Sequence, residues 1–149
     1  MLKTRVIPCL LLKGESLVKT VKFSSPAYIG DPVNTVRIFN DLEVDELIFL
    51  DIEATRQKRP PNFRILREIA DECFMPLSYG GGIRSLEEIT GILKIGFEKV
   101  SINTAASGNG SLVRRAADAF GSQSIIASID VKKSFWGRYE VYTNGGTRR

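Results

Sequence analysis

PLSYGGGIRSLEEITGILKIGFEKVSIN, residues 76–103, is the stretch whose reading decides the fold. Pro76 to Tyr79 is a short apolar run ending in Gly80-Gly81-Gly82. Ser85 and Glu88 then form a capping box, opening a helix whose apolar stripe is Leu86, Ile89 and Leu93. Lys99 to Ile102 is a second apolar run. Strand, glycine turn, capped helix and strand make one βαβ unit of a parallel sheet.

Outward from this unit the alternation continues in both directions. Upstream, Val6 to Leu12 reads as the first strand. Asp31 caps a helix with Pro32 at its first position and Val33, Val36 and Phe39 on its apolar face. Glu46 to Asp51 reads as the second strand, and Pro61 to Cys73 as a helix with Leu66, Ile69, Ala70 and Cys73 at helical spacing. Downstream, a helix from about Ser111 carries Leu112, Val113, Ala116, Ala117 and Phe120 inward and stops at Gly121. Ile125 to Val131 is the fifth strand, and Arg138 to Thr143 is a further β segment. The expected order is β(αβ)4, in one partial domain over residues 1–149.

A five-stranded flavodoxin-like sheet and the N-terminal half of a (β/α)8 barrel, truncated after strand 5, both fit this order. Polar strand ends favour the barrel: Asp51, Gly80 to Gly82, Asn103 with Thr104, and Asp130 close four different strands. Barrel enzymes gather their sites from many strand C-termini, whereas a doubly wound sheet concentrates its site at one switch point. Five strands in the order 1-2-3-4-5 are therefore expected, and an order of 2-1-3-4-5 would end the barrel reading. A faint repeat agrees: Cys9 to Lys13 aligns with Ser128 to Lys132, which sets Leu11 against Asp130.

Composition narrows the chemistry. The 149 residues are 43% hydrophobic and 26% charged with a net charge of +4, the range of a globular protein. They fall well short of the roughly 250 residues of a complete (β/α)8 barrel. The basic excess is scattered, with a small knot at Arg56, Lys58 and Arg59, and suits phosphorylated metabolites better than nucleic acid. With no histidine in the chain, histidine triads and histidine-ligated zinc are excluded, so proton transfer falls to carboxylates, Lys, Tyr or Cys. Cys9 and Cys73 read as reduced core thiols of a cytoplasmic protein. The Val6–Leu12 run is too short for a signal peptide and is interrupted by Pro8. No stretch is long enough to span a membrane, and neither a metal cluster nor a dinucleotide fingerprint implies a cofactor.

Three consecutive glycines before a capped helix suit an anion nest, because glycine lets backbone N–H groups approach closely. The alternative is a tight turn that only needs positive φ. Gly81 and Gly82, with Asn103 and Thr104 on the next strand end, are the expected phosphate contacts, and Lys19 could pair with a phosphate. Asp130, closing an otherwise apolar strand, could serve as general acid or base at the barrel mouth, or cap a loop. Asp51 is as suited to orienting a neighbour as to reacting.

The runs DELIFLDIEAT (45–55), YGGGIRS (79–85), KVSINTAA (99–106) and FGSQSIIASIDVKK (120–133) resemble the HisF family, the cyclase subunit of imidazole glycerol phosphate synthase. The resemblance covers the whole chain. It implies a glutaminase partner docked under the barrel, whose ammonia passes through the core. At the top, the bis-phosphorylated intermediate PRFAR is converted to imidazole glycerol phosphate and AICAR. Carried over, Gly82, Asn103 and Thr104 would hold one phosphate, with Lys19 near the other end of the substrate. Asp130 would be one of two catalytic aspartates, and Arg5, Glu46 and Lys99 three of four residues gating ammonia at the barrel bottom.

Two departures stand out. The family's other catalytic aspartate falls at Leu11, and leucine cannot transfer a proton. A side branch of the family works in surface-polysaccharide biosynthesis, delivering ammonia to amidate a nucleotide-linked sugar, and loss of one acid suits it. Strands 6 to 8 and the second phosphate site would lie beyond residue 149.

Overall fold

The computed structural model describes residues 4–21, 24–107 and 110–143. The first strand, β1 (Cys9–Lys13), turns through Gly14 and Glu15 into an antiparallel hairpin of β2 (Ser16–Val21) and β3 (Ser24–Gly30). Then follow α1 (Pro32–Asp41), β4 (Leu47–Asp51), α2 (Phe63–Glu72), β5 (Leu77–Gly80), α3 (Leu86–Ile95), β6 (Lys99–Ile102) and α4 (Ser111–Phe120). A short 3-10 turn, Ser122–Ser124, leads into β7 (Ile125–Ala127), and a separate hairpin of β8 (Asp130–Lys133) and β9 (Tyr139–Tyr142) comes last.

The sheet runs β3-β2-β1-β4-β5-β6-β7, and the pairs from β1 to β7 are all parallel. The five parallel strands thus lie in sequence order, the N-terminal half of a (β/α)8 barrel. Local chemistry explains the helix starts. Asp31 accepts from the Asn34 N–H ahead of Pro32, Asn62 caps α2, and Ser85 and Glu88 form the full reciprocal box on α3. α3 then stops at Gly96, φ 121°.

Strand parity sorts the side chains into two layers. Leu10, Leu12, Leu47, Phe49, Leu77, Tyr79, Val100 and Ile102 pack against Ile65, Leu66, Ile69, Ile89 and Ile92 of the helices, and this is the core. Tyr79 meets Phe97 edge-on at 6.2 Å between ring centres. The opposite parity (Cys9, Leu11, Ile48, Leu50, Ser78, Ser101) belongs to the barrel lumen.

Four expectations need correction. A hairpin, β2–β3, stands between the first strand and the first helix, where β(αβ)4 has none. The first strand starts at Cys9 rather than Val6, although the Pro8 carbonyl still accepts from Ile48 at 3.0 Å. The fifth strand stops at Ala127, not Val131, so Asp130 opens a new hairpin instead of closing a barrel strand. Cys9 is no core thiol: it takes lumen parity and is exposed, while Cys73 is half-buried.

Candidate active site

At the C-terminal ends of the parallel strands, Leu11, Leu50, Gly80, Ser101, Ser128 and Asp130 border a cavity of about 190 Å3. Leu11 and Asp130 share it although they do not occupy equivalent strand positions: Leu11 is mid-strand, paired with Leu50, and Asp130 lies three residues past β7. A neighbouring hollow of about 270 Å3 is bordered by Gly81, Gly82, Arg84, Thr104 and Ala105. Thr55, Gly81, Ser101, Asn103 and Thr104 border both, so the two are contiguous.

The glycines are fixed by space as well as by backbone angle. A Cβ on Gly81 (φ 119°) would sit 2.4 Å from the Asp51 carbonyl, and one on Gly82 (φ 72°) 2.8 Å from both the Ala54 Cβ and the Arg59 carbonyl. The turn is therefore pressed onto the loop after β4. The Gly82 N–H donates to the Thr55 hydroxyl at 3.3 Å. Asn103 donates from its amide to the Ser128 carbonyl at 3.1 Å, which ties the ends of β6 and β7 together, and accepts from the Thr104 hydroxyl at 3.3 Å. Lys19 is exposed on β2 and does not border either cavity, whereas its neighbour Thr20 borders the first.

Asp51 is tied to the loop that follows it. Its Oδ1 accepts from the backbone N–H groups of Glu53 and Ala54, both at 3.0 Å, and from Arg59 at 2.9 Å. Its Oδ2 lies 2.8 Å from the other Arg59 terminal nitrogen, a bidentate pair. Sequence reading missed Thr55, Arg59 and Ser101 as parts of this region. Only the basic knot at 56–59 hinted at one of them.

At the opposite strand ends, Glu46 is 2% exposed. Its Oε1 accepts from Lys99 Nζ at 2.6 Å and from the Ser78 hydroxyl at 2.9 Å; Arg5 stands 3.8 Å from Oε2. Oε2 itself has no hydrogen-bond partner among the described residues. Burial pushes the Glu46 carboxyl up, but the hydrogen bonds from Lys99 and Ser78 and the charges of Lys99 and Arg5 outweigh it and hold the group below its ordinary value. Arg5, Glu46 and Lys99, expected together, do meet. Strands of about five residues at roughly 3.3 Å each put about 15 Å between this cluster and the cavity.

The family model for "Histidine biosynthesis protein" matches residues 5–149. The chain belongs to the histidine biosynthesis protein family. Within that family it is a HisF-family protein. A Pseudomonas aeruginosa protein with the provisional name imidazole glycerol phosphate synthase subunit hisF2 is 59% identical over 148 residues, 99% of this chain and 59% of its own length. A Leptospira interrogans protein with the provisional name imidazole glycerol phosphate synthase subunit HisF is 48% identical over 150 residues, and covers 100% of this chain and 59% of its own. Imidazole glycerol phosphate synthase subunit HisF of an Exiguobacterium species is 47% identical over 149 residues, 58% of its own length. The chain thus spans about three fifths of these relatives. Among the described residues, no helix is long and apolar enough to cross a membrane.

Proposed function

We propose that these residues contribute one partial barrel domain to a HisF-type subunit of a cytoplasmic glutamine amidotransferase complex. Ammonia from a glutaminase partner enters past Arg5, Glu46 and Lys99, traverses the lumen and reaches a phosphorylated substrate held at Gly81, Gly82, Asn103 and Thr104, with Asp130 as its proton-transfer group. In the full activity the substrate is PRFAR and the products are imidazole glycerol phosphate and AICAR. The observation that carries this reading is the lumen itself. A buried charge cluster stands at one end of the same strands, and a cavity of mixed lining, bordered by the uncommitted acid Asp130, stands at the other. Phe74, 88% exposed beside the cluster's end of the strands, suits an aromatic anchor for the partner. Asn40 fixes its backbone by accepting from the Phe74 N–H and donating to the Glu72 carbonyl.

Leu11 favours a second reading. It borders the cavity where a second acid would be needed, which suits a barrel that conducts ammonia for amidation of a nucleotide-linked sugar in surface-polysaccharide synthesis. Loss of one of two cooperating acid/base groups removes roughly 100- to 10,000-fold in rate. Turnover of PRFAR with free ammonium, measured on the full-length protein, separates the two. Very weak wild-type turnover that rises in Leu11→Asp and falls again on adding Asp130→Asn supports the cyclase lineage with a lost acid. Wild-type turnover equal to ordinary HisF proteins rules out the side branch, and no turnover in either form favours conduction.

A further inference from the structure

Among the described residues, the cavity between Leu11 and Asp130 is bordered by one cation that neither the fold nor the reading above employs. Arg56 borders this cavity and is exposed. Among the described residues it makes no hydrogen bond or ion pair, whereas Lys13 is committed to Glu53, Arg59 to Asp51 and Gln57, and Arg84 to the Lys58 carbonyl; the exposed Lys58 borders neither cavity. The turn that carries Arg56 is built with care. Gln57 N–H donates to the Glu53 carbonyl at 2.9 Å, Lys58 N–H to Thr55 at 3.2 Å and Arg59 N–H to Ala54 at 3.0 Å. Asp51 caps the same turn from below, and Arg59 clamps it. A free arginine on a pre-organised turn loses little conformational freedom when a ligand arrives.

We infer that Arg56 makes the Leu11–Asp130 cavity a second oxyanion subsite, distinct from the glycine turn, and so determines which substrate the barrel accepts. This inference rests on the reading of the cavity as the ligand site. The ligand class follows from the lining. The Arg56 guanidinium takes a phosphate or carboxylate oxygen pair. Thr20, Thr55, Ser101 and Ser128 offer hydroxyls to a hydroxylated chain or ring. Asp130 repels a second anion, so the part of the ligand facing it carries a donor, an amine or a hydroxyl. Leu11 and Leu50 keep the floor apolar, which strengthens the pairing above them. Because both hollows share Thr55, Gly81 and Thr104, one small molecule with an anion at each end can span them.

The test is a titration of the intact protein with inorganic phosphate, and separately with malonate, followed through backbone amide chemical shifts. Two sets of amides respond: Gly82 with Ala105, and Leu11 with Thr20 and Ser128. In Arg56→Gln the second set binds roughly ten- to a hundredfold more weakly, while the first is unchanged. Arg56→Lys keeps the charge and recovers part of the loss. Tighter saturation of the second set by malonate assigns a carboxylate to the subsite, and tighter saturation by phosphate assigns a phosphate. If neither anion moves the second set, or Arg56→Gln leaves its dissociation constant within about twofold, the inference is wrong. A silent first set beside a responsive second one removes the glycine-turn phosphate site but leaves the Arg56 subsite standing.

Discussion

Lys99→Met probes the buried cluster under the barrel most directly. The substitution keeps the aliphatic stem and removes the ammonium that donates to Glu46 at 2.6 Å. What remains is a carboxylate 2% exposed, with the Ser78 hydroxyl at 2.9 Å on one oxygen and a largely exposed Arg5 at 3.8 Å from the other. Stripping one partner from a buried ion pair costs about 3–5 kcal/mol. Arg5 remains and the Lys99 side chain is 23% exposed, so the lower end, about 3 kcal/mol at pH 7, is expected. With a urea slope of about 2 kcal/mol/M for this size, the midpoint falls by roughly 1.5 M. The pH dependence gives the sharper signature. In the native protein the Glu46 carboxyl is held below its ordinary value, so its contribution is present above the unfolded pKa, about 4.3. That contribution is lost as pH falls through the folded one. In Lys99→Met, burial dominates and the folded pKa rises, so the penalty is full at pH 7 and shrinks as acid protonates the group. The gap between the two proteins therefore narrows from pH 7 to pH 4.5. Adding Glu46→Gln to Lys99→Met restores most of the stability at pH 7, because no buried charge is left. A loss under 1 kcal/mol, or a gap that stays constant with pH, would show that water reaches Glu46 and that the cluster is an ordinary surface pair.

Two further substitutions test the cavity wall. Gly82→Val destabilises by at least about 2 kcal/mol, since φ 72° disfavours any β-branched residue and its Cβ would press on Ala54 and the Arg59 carbonyl; thermal unfolding reads the loss, and phosphate-induced shifts at the turn vanish with it. Arg59→Met leaves the buried Asp51 with only its two backbone donors and costs about 2–3 kcal/mol by urea unfolding, whereas an unchanged midpoint would show that the clamp adds nothing to the loop.

The barrel was legible because its signals are local. Ser85 with Glu88, Asp31 with Pro32, and Gly121 mark helix ends through contacts within four residues, and the short apolar runs between them can only be buried strands. The antiparallel turn from β1 into β2 also had a local signal that went unread. Lys13 pairs with Ser16 across Gly14 and Glu15, a two-residue turn whose Gly14 sits at φ 62° between two apolar runs. The end of the fifth strand was not legible, because it depends on a contact between distant positions: the Asn103 amide takes the Ser128 carbonyl across 25 residues.

Parity explains which strand-end residues reach the cavity and which do not. Along LIFLD, Leu47, Phe49 and Asp51 share a face, and Leu47 and Phe49 are wholly buried against the helices. Asp51 therefore sends its carboxylate toward the helix layer, where it binds the loop and Arg59, although the residue still borders the cavity. Glu46, one residue before the strand and of the opposite parity, turns inward to Lys99 and Ser78. Leu11 follows the same rule between Leu10 and Leu12. An aspartate at position 11 would thus face the cavity that Asp130 borders, and this alternation is why Leu11→Asp is the substitution that tests the proposed acid/base reading against an apolar floor.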